Sequence, residues 1–356
     1  MTSIQASIQA SRFRRIIYFH NGSLGDFLMT LHLCENIYAA NPKLDIVVLV
    51  PRNEVVCRQL VQRYPFVEVI YANKKNIRAL ISLLRQGNCC ITPPTPGRIP
   101  LSTKIAAKAL SLIKGAMIGF EDSSPFNRFL YTKILPYDIR RLYFETLEDV
   151  AKTLNIPITY PTLSFHYTPT PSILTELNLQ KNNYLVFHPF GSSSERSFSR
   201  SDLKNLVQKL RTAFPTLVIV ISGSEKDEER YRGVLTELTE KSSVALMTGV
   251  IRAKELATLL SYAKLFIGVD TGVTHLASIL GTKSIVIAHK ASPPNWLPYY
   301  NAKASILYHI QNDPNKIYEG RDYLWTHFYK VRCLEMPPQD FIYGRILEEL
   351  MSEGKK

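Results

Sequence analysis

No apolar run in these 356 residues approaches the roughly 18–20 needed to span a bilayer. The first fifteen residues end in Arg12, Arg14 and Arg15 and lack the apolar stretch of a signal peptide. The sequence therefore predicts a cytoplasmic protein that stays in the compartment where it was made. Cysteine is scarce. Cys34, Cys57, Cys89, Cys90 and Cys333 are odd in number and include no C-x-x-C pair, which points to buried, reduced thiols. The histidines form no H-x-x-x-H pair and no D-x-D follows a strand, so no metal is expected. The absence of G-x-G-x-x-G leaves a dinucleotide fingerprint unsatisfied, and the absence of G-x-S-x-G removes a serine hydrolase elbow. No aromatic-lined RNP stretch occurs, and no nucleic-acid partner is expected.

What is present is a globular composition, 46% hydrophobic and 21% charged, in a chain long enough for two ordinary domains. The net charge of +13 is unevenly spread. Residues 1–170 hold 20 Lys and Arg against 11 Asp and Glu, whereas residues 171–356 hold 23 against 19. Such an excess on the first half suits nucleic acid, a phosphorylated substrate or an acidic membrane surface, or serves solubility alone, and charge by itself does not choose among these.

Strands and helices alternate through both halves, the pattern of an α/β protein. Arg15–His20 and Asp45–Val50 are apolar runs of strand length, with shorter strands predicted at Val67–Tyr71, Cys89–Thr92 and Ala116–Gly119. Between the first two, Phe27, Leu31, Cys34 and Tyr38 recur at helical spacing and predict one apolar face. Pro157, Pro161, Pro169 and Pro171 mark an interdomain connection over Ile156–Pro171. Beyond it, strands are expected at Tyr184–His188, Leu217–Ser222, Val244–Met247, Lys264–Gly268 and Ser284–Ala288. Helices are expected between them, and a last one covers about Gln339–Met351.

Four junctions carry chemistry. Asn21–Asp26 is a glycine turn between a strand and a helix, where Asp26 suits a cap and also stands at the sheet edge that binds ligands. His188–Phe198 offers small residues, hydroxyls and Arg196, a set suited to phosphate or to a plain surface loop. Glu225 follows Ile221–Ser224 and suits either a ribose contact or a helix cap. Gly268–Ala277 is the most specific, because it joins a strand to a helix start whose unpaired N–H groups attract anions. There Thr271 and Gly272 would supply donors, and His275 stands on the first turn, as a core residue or a ligand contact.

Together these segments resemble glycosyltransferase family 9, the ADP-heptose:lipopolysaccharide heptosyltransferases. Asn21–Leu31 is similar to the family's first-domain entry, His188–Phe198 to the start of its donor domain, and Gly268–Ala277 to its D-S/T-G-x-x-H-L-A signature. Gly249–Leu260 is similar to its G-x-x-x-x-x-E-L-A-x-L segment. The resemblance implies a GT-B fold, two Rossmann-like domains facing across a cleft. Residues 1–165 would bind the acceptor, 166–335 would hold a nucleotide sugar, and a helix within 336–356 would pack back on the first domain. It implies an inverting, metal-independent transfer with no cofactor beyond the nucleotide-sugar substrate, ADP-heptose. Asp26 would be the general base, and Arg196, in place of a family lysine, would offset charge on the departing diphosphate. Ser192, Thr271 and Gly272 fall at phosphate positions and Glu225 at a ribose position. Asp270 and His275 match signature residues of the donor site. Gly25, beside the base, and the basic Arg98, Lys104 and Lys108 would meet an anionic, lipid-linked acceptor on the cytoplasmic face of the inner membrane. Two departures stand near the donor pocket: Ser197-Phe198 replaces a frequent Trp-Pro pair, and Ile287–Pro293 replaces a G-P-T-x-P turn.

Two other classes fit an α/β chain. An NAD(P)-dependent oxidoreductase is disfavoured by the missing glycine fingerprint, and a non-catalytic nucleotide-binding protein by the retained Asp26. A transferase that uses another nucleotide sugar is the nearer alternative.

Overall fold

The computed structural model describes residues 8–20, 24–51, 64–84, 87–94, 99–138, 140–159, 165, 167–240, 243–247, 253–289, 294–310, 317–319 and 334–352. The chain divides into two compact units, Met1–His166 and Tyr167–Lys356.

In the first unit the strands are β1 (Arg15–Phe19), β2 (Asp45–Val50), β3 (Val67–Tyr71), β4 (Asn88–Ile91), β5 (Ala116–Phe120) and β6 (Lys133–Leu135). They form one parallel sheet in the order β3-β2-β1-β4-β5-β6. The helices are α1 (Leu24–Ala40), α2 (Ile77–Ser82), α3 (Leu101–Ser111), α4 (Asn127–Leu130) and α5 (Tyr143–Thr153). Ala79, Leu80, Ala107, Leu110 and Leu130 pack α2, α3 and α4 onto one face of the sheet, against Ile17, Val47, Cys90 and Met117. Helices α1 and α5 pack on each other, and Tyr143 of α5 meets Tyr18 of β1 through their hydroxyls at 3.3 Å. A sheet covered on both faces explains why β1 and β2 read as unbroken apolar runs.

The single apolar face expected for α1 is corrected. Every residue from Gly25 to Ile37 is buried, including Thr30, His32, Glu35 and Asn36, while Tyr38 lies exposed and stacks on Phe66 at 4.2 Å. Burial holds His32 neutral, its pKa lowered to about 4, and raises the Glu35 carboxyl to about 7. Cys34, Cys89 and Cys90 are free and buried.

The second unit repeats the plan. Its elements are α6 (Ser172–Glu176), β7 (Tyr184–His188), α7 (Arg200–Ala213), β8 (Val218–Ser222), α8 (Glu225–Thr239), β9 (Val244–Met247), α9 (Ala253–Tyr262), β10 (Leu265–Val269), α10 (Gly272–Ile279), β11 (Ser284–Ile287), β12 (Ala304–Ile310), β13 (Ile317–Glu319), β14 (Leu334–Glu335) and α11 (Gln339–Met351). The parallel order β9-β8-β7-β10-β11-β12 matches that of the first sheet, and β13 and β14 add antiparallel pairs to β12. In each sheet the strand order reverses once, between β1 and β4 and between β7 and β10, which is where such folds bind ligands. Helix α11 was expected to return to the first domain. Its Ile342, Ile346 and Leu350 instead join the second unit's core beside α7, because the four-residue spacing puts all three on the face turned to that unit.

Candidate functional site

The switch point of the second sheet gathers three loops. Gly268 of β10 pairs with His188 of β7, and Gly268 also pairs with Val286 of β11, so the chain leaves all three strands side by side. After β7 the loop doubles back: a Cβ on Gly191 would stand 2.3 Å from the Arg196 carbonyl oxygen, so only glycine fits there. Ser197 locks this turn. Its hydroxyl accepts from the Gly191 N–H at 2.9 Å and donates to the Ser193 carbonyl at 2.7 Å. Phe198 sinks into the core against Phe187. The Ser197-Phe198 departure thus has a local structural role.

The turn presents Arg196 to the neighbouring strand ends. Its guanidinium donates to Ser192 Oγ at 3.1 Å, to the Asp270 carbonyl at 3.1 Å and to His289 Nε2 at 3.4 Å. The Asp270 carboxylate lies 3.8 Å away on one side, and 3.8 Å from His275 Nε2 on the other. His275 Nδ1 meets the Tyr300 hydroxyl at 2.9 Å. Burial lowers the His275 pKa, against the pull of Asp270, and burial together with the Asp270 charge keeps Tyr300 protonated. The Asp270 carboxylate thus stands between Arg196 and His275.

The helix start beside this cluster is open. Thr271 is the N-cap of α10, yet its side chain makes no capping bond and its buried Oγ1 has no partner among the described residues. An unpaired buried hydroxyl costs about 1–3 kcal/mol, so a ligand oxygen that bonds to it recovers that cost. By contrast, Ser199 and Asp202 close α7, and Ser224 with Asp227 forms a full capping box on α8. Capping was one reading of Glu225. Ser224 performs it, and Glu225 stands exposed on the first helical residue. The N-terminal N–H groups of α10, the Thr271 hydroxyl and the Arg196 guanidinium are each groups that could bind an anion's oxygens.

In the first unit Asp26 sits on the first turn of α1, buried at 3% exposure, with Gly25 buried beside it. Its carbonyl accepts from Thr30 Oγ1 at 2.8 Å. Burial raises the pKa of both Tyr18 and Tyr143, and the Asp26 charge adds to it, so the carboxylate lies near a pair of protonated phenols. Arg98 lies outside the described residues. Lys108 is half-buried on α3.

Lys104 is a correction. It is fully buried, and its ammonium donates to both Asp122 carboxylate oxygens, at 2.7 and 3.0 Å, and to Asn127 Oδ1 at 2.5 Å. Those three bonds use all its protons and leave none for an acceptor. Burial alone would raise the Asp122 carboxyl. Hydrogen bonds from Lys104, the Ser124 N–H, Asn127 and the Ile99 N–H outweigh it and hold the carboxyl below its ordinary value. A depressed carboxyl stabilises the fold above the unfolded pKa, and that support is lost as pH falls through the folded value. Lys104→Met strands a buried carboxylate and is expected to cost the first unit about 3–5 kcal/mol. Urea unfolding at pH 7 read by hydrogen exchange over residues 101–135 measures this, and the Lys104→Met deficit is expected to shrink in acid.

The sequence did not flag His289 or Tyr300. His289 lies within the departure after β11, which was the available signal. Tyr300 carried none.

The family model for glycosyltransferase family 9 (heptosyltransferase) matches residues 114–323. A protein of Haemophilus influenzae named as a glycosyltransferase is 24% identical over 315 residues, which cover 83% of this chain and 88% of that one. Among solved structures, the Escherichia coli ADP-heptose lipopolysaccharide heptosyltransferase II is similar at a TM-score of 0.69 and 18% identity, over 96% of this chain and 99% of the other. An Escherichia coli heptosyltransferase solved with ADP has a TM-score of 0.61 at 17% identity, over 82% and 92% of the two chains. At these identities the structural likeness establishes the fold, which is GT-B.

Proposed function

This chain belongs to glycosyltransferase family 9, and from that membership we propose that it moves a heptosyl group from ADP-heptose onto a hydroxyl of an anionic, lipid-linked lipopolysaccharide-core glycan. The second unit takes the donor. Arg196, Ser192, Thr271 and the Gly272 end of α10 hold the diphosphate, Asp270 and His275 hold Arg196 and the loop in place, and Glu225 accepts from ribose hydroxyls. The first unit takes the acceptor at the strand edge beside Gly25 and Asp26, with Arg98 and Lys108 toward its anionic groups. The reading places the work at the cytoplasmic face of the inner membrane.

In the transfer, Asp26 takes the proton of the acceptor hydroxyl as that oxygen forms its bond to the anomeric carbon. The bond from that carbon to the diphosphate oxygen breaks on the opposite face, and ADP leaves with the electron pair. One bond forms as one breaks, so the anomeric configuration inverts. Charge that grows on the leaving oxygen is met by Arg196 and the N-terminus of α10, which is the task otherwise given to a divalent metal.

The observation that supports this reading is the uncapped helix start at Thr271, whose hydroxyl has no partner among the described residues, next in sequence to the Asp270 carbonyl that receives the Arg196 guanidinium. Mass spectrometry of truncated lipopolysaccharide acceptors after incubation with ADP-heptose is expected to show addition of one heptose. Addition only from another nucleotide sugar would reassign the donor, and no product from any would remove the transfer reading. Chelator is expected to leave the rate unchanged. Loss of activity that an added divalent cation restores would contradict the metal-free step.

A further inference from the structure

Among the described residues, eleven large hydrophobic side chains are exposed, and ten of them belong to the first unit. Nine of those ten sit on α2, α3 and α4 or at their ends, the three helices that cover one face of the first sheet. The pattern is helical. On α3, Leu101, Ile105, Lys108 and Leu112 follow at steps of four, three and four, so they form one outward stripe, while Ala107 and Leu110 face the sheet. Ile77 and Ile81 repeat this on α2, and Phe126 and Phe129 on α4. Leu112 and Phe129 are 67% and 64% exposed, which is too open for side chains that pack within the unit.

The exposed charges described on α2, α3, α4 and their ends are Lys75, Arg78, Lys114 and Arg128, whereas Lys104 is buried against Asp122 and adds nothing to this face. Residues 69–120 contain eight Lys and Arg and no Asp or Glu. Arg78 and Lys114 are exposed among the apolar side chains, and Arg128 lies over the Phe129 ring at 4.6 Å. The nearest acids in sequence are Glu68 and Glu121, at the two ends of the segment.

We infer that the outer face of α2, α3 and α4 docks the protein on an anionic lipid bilayer. Only a bilayer joins dense negative charge to an apolar phase a few ångströms beneath it. A nucleic acid supplies the charge but no apolar layer for Ile81, Ile105 and Phe129. A protein partner of ordinary composition presents both signs, and this face would leave its cations unanswered. The apolar side chains enter the boundary between headgroups and acyl chains, and the cations pair with lipid phosphates above them. The inference deepens the lipid-linked acceptor reading but does not need the transfer chemistry, since Asp26, Arg196 and Thr271 lie on other elements and Lys108, given to the acceptor above, is left unchanged in the variants.

Cosedimentation of the full chain with vesicles tests it. Binding is expected to phosphatidylglycerol-containing vesicles and not to pure phosphatidylcholine, and to weaken as salt rises from about 0.1 to about 0.5 M. Ile105→Asp with Phe129→Asp, and separately Arg78→Glu with Lys114→Glu, are each expected to lower the partition coefficient at least about tenfold with an unchanged melting transition. The vesicles carry no acceptor, and transfer to a soluble truncated acceptor is followed in parallel, so failure of docking and failure of the transfer reading are told apart. Wild-type protein left in the supernatant with anionic vesicles overturns the inference, as does pair-variant binding equal to wild type. A wild-type dimer in sedimentation equilibrium that Ile105→Asp with Phe129→Asp splits would also overturn it and give the face to a second copy.

Discussion

Asp26→Asn is expected to lower kcat at least about a thousandfold while the affinity for ADP stays within a factor of about two. The carboxylate is buried on the first turn of α1, and in the proposed transfer it is the group that takes the proton of the acceptor hydroxyl. Asparagine has the same shape and keeps the packing against the neighbouring helix and sheet, but it cannot take a proton. The loss in kcat therefore reads the chemistry and not a cavity. Single-turnover transfer from a preformed donor complex separates this step from product release. The donor groups Arg196 and Thr271 belong to the other unit, which is why ADP affinity should hold. Turnover within about tenfold of wild type would remove Asp26 from proton transfer and leave the charge on α1 as a packing feature.

How much of this was legible in the sequence depends on the range of the interaction. Strands β1, β2, β7 and β10 announce themselves because a sheet covered on both faces demands continuous apolar runs, a local property. The open helix start at Thr271 was also local, written in the spacing of Gly268, Asp270, Thr271 and Gly272. The one-faced reading of α1 failed because periodicity registers the apolar residues alone. It cannot show that Thr30, His32 and Glu35 are buried as well, which depends on tertiary neighbours such as α5. Lys104 failed for the same reason. Its partner Asp122 is eighteen residues on, and no pattern in α3 says that one of its two lysines turns inward. His289 is 93 residues from Arg196, brought to it only because β11 neighbours β10 in the sheet.

Arg196 is the residue where that long-range assembly has the largest consequence for the donor. Arg196→Ala is expected to lower kcat/KM about a hundredfold to a thousandfold, the range for removal of one charge-stabilising donor in an enclosed site. Lysine is the informative replacement. It keeps the positive charge, and the resembled family carries lysine at this position. Here, though, the planar fork reaches Ser192, the Asp270 carbonyl and His289 at once, and a single ammonium on a flexible stem cannot span three such directions. Arg196→Lys should therefore recover only part of the loss, about tenfold below wild type, with most of the deficit in the affinity for ADP. His289→Ala is expected to reproduce a smaller share of that deficit, because it frees the Nε edge of the guanidinium without removing its charge. Titration calorimetry with ADP, set beside steady-state kinetics, separates these effects. A lysine variant equal to wild type would show that charge alone matters and that the fork's three contacts are incidental. An alanine variant within about threefold of wild type would move the diphosphate away from Arg196 altogether.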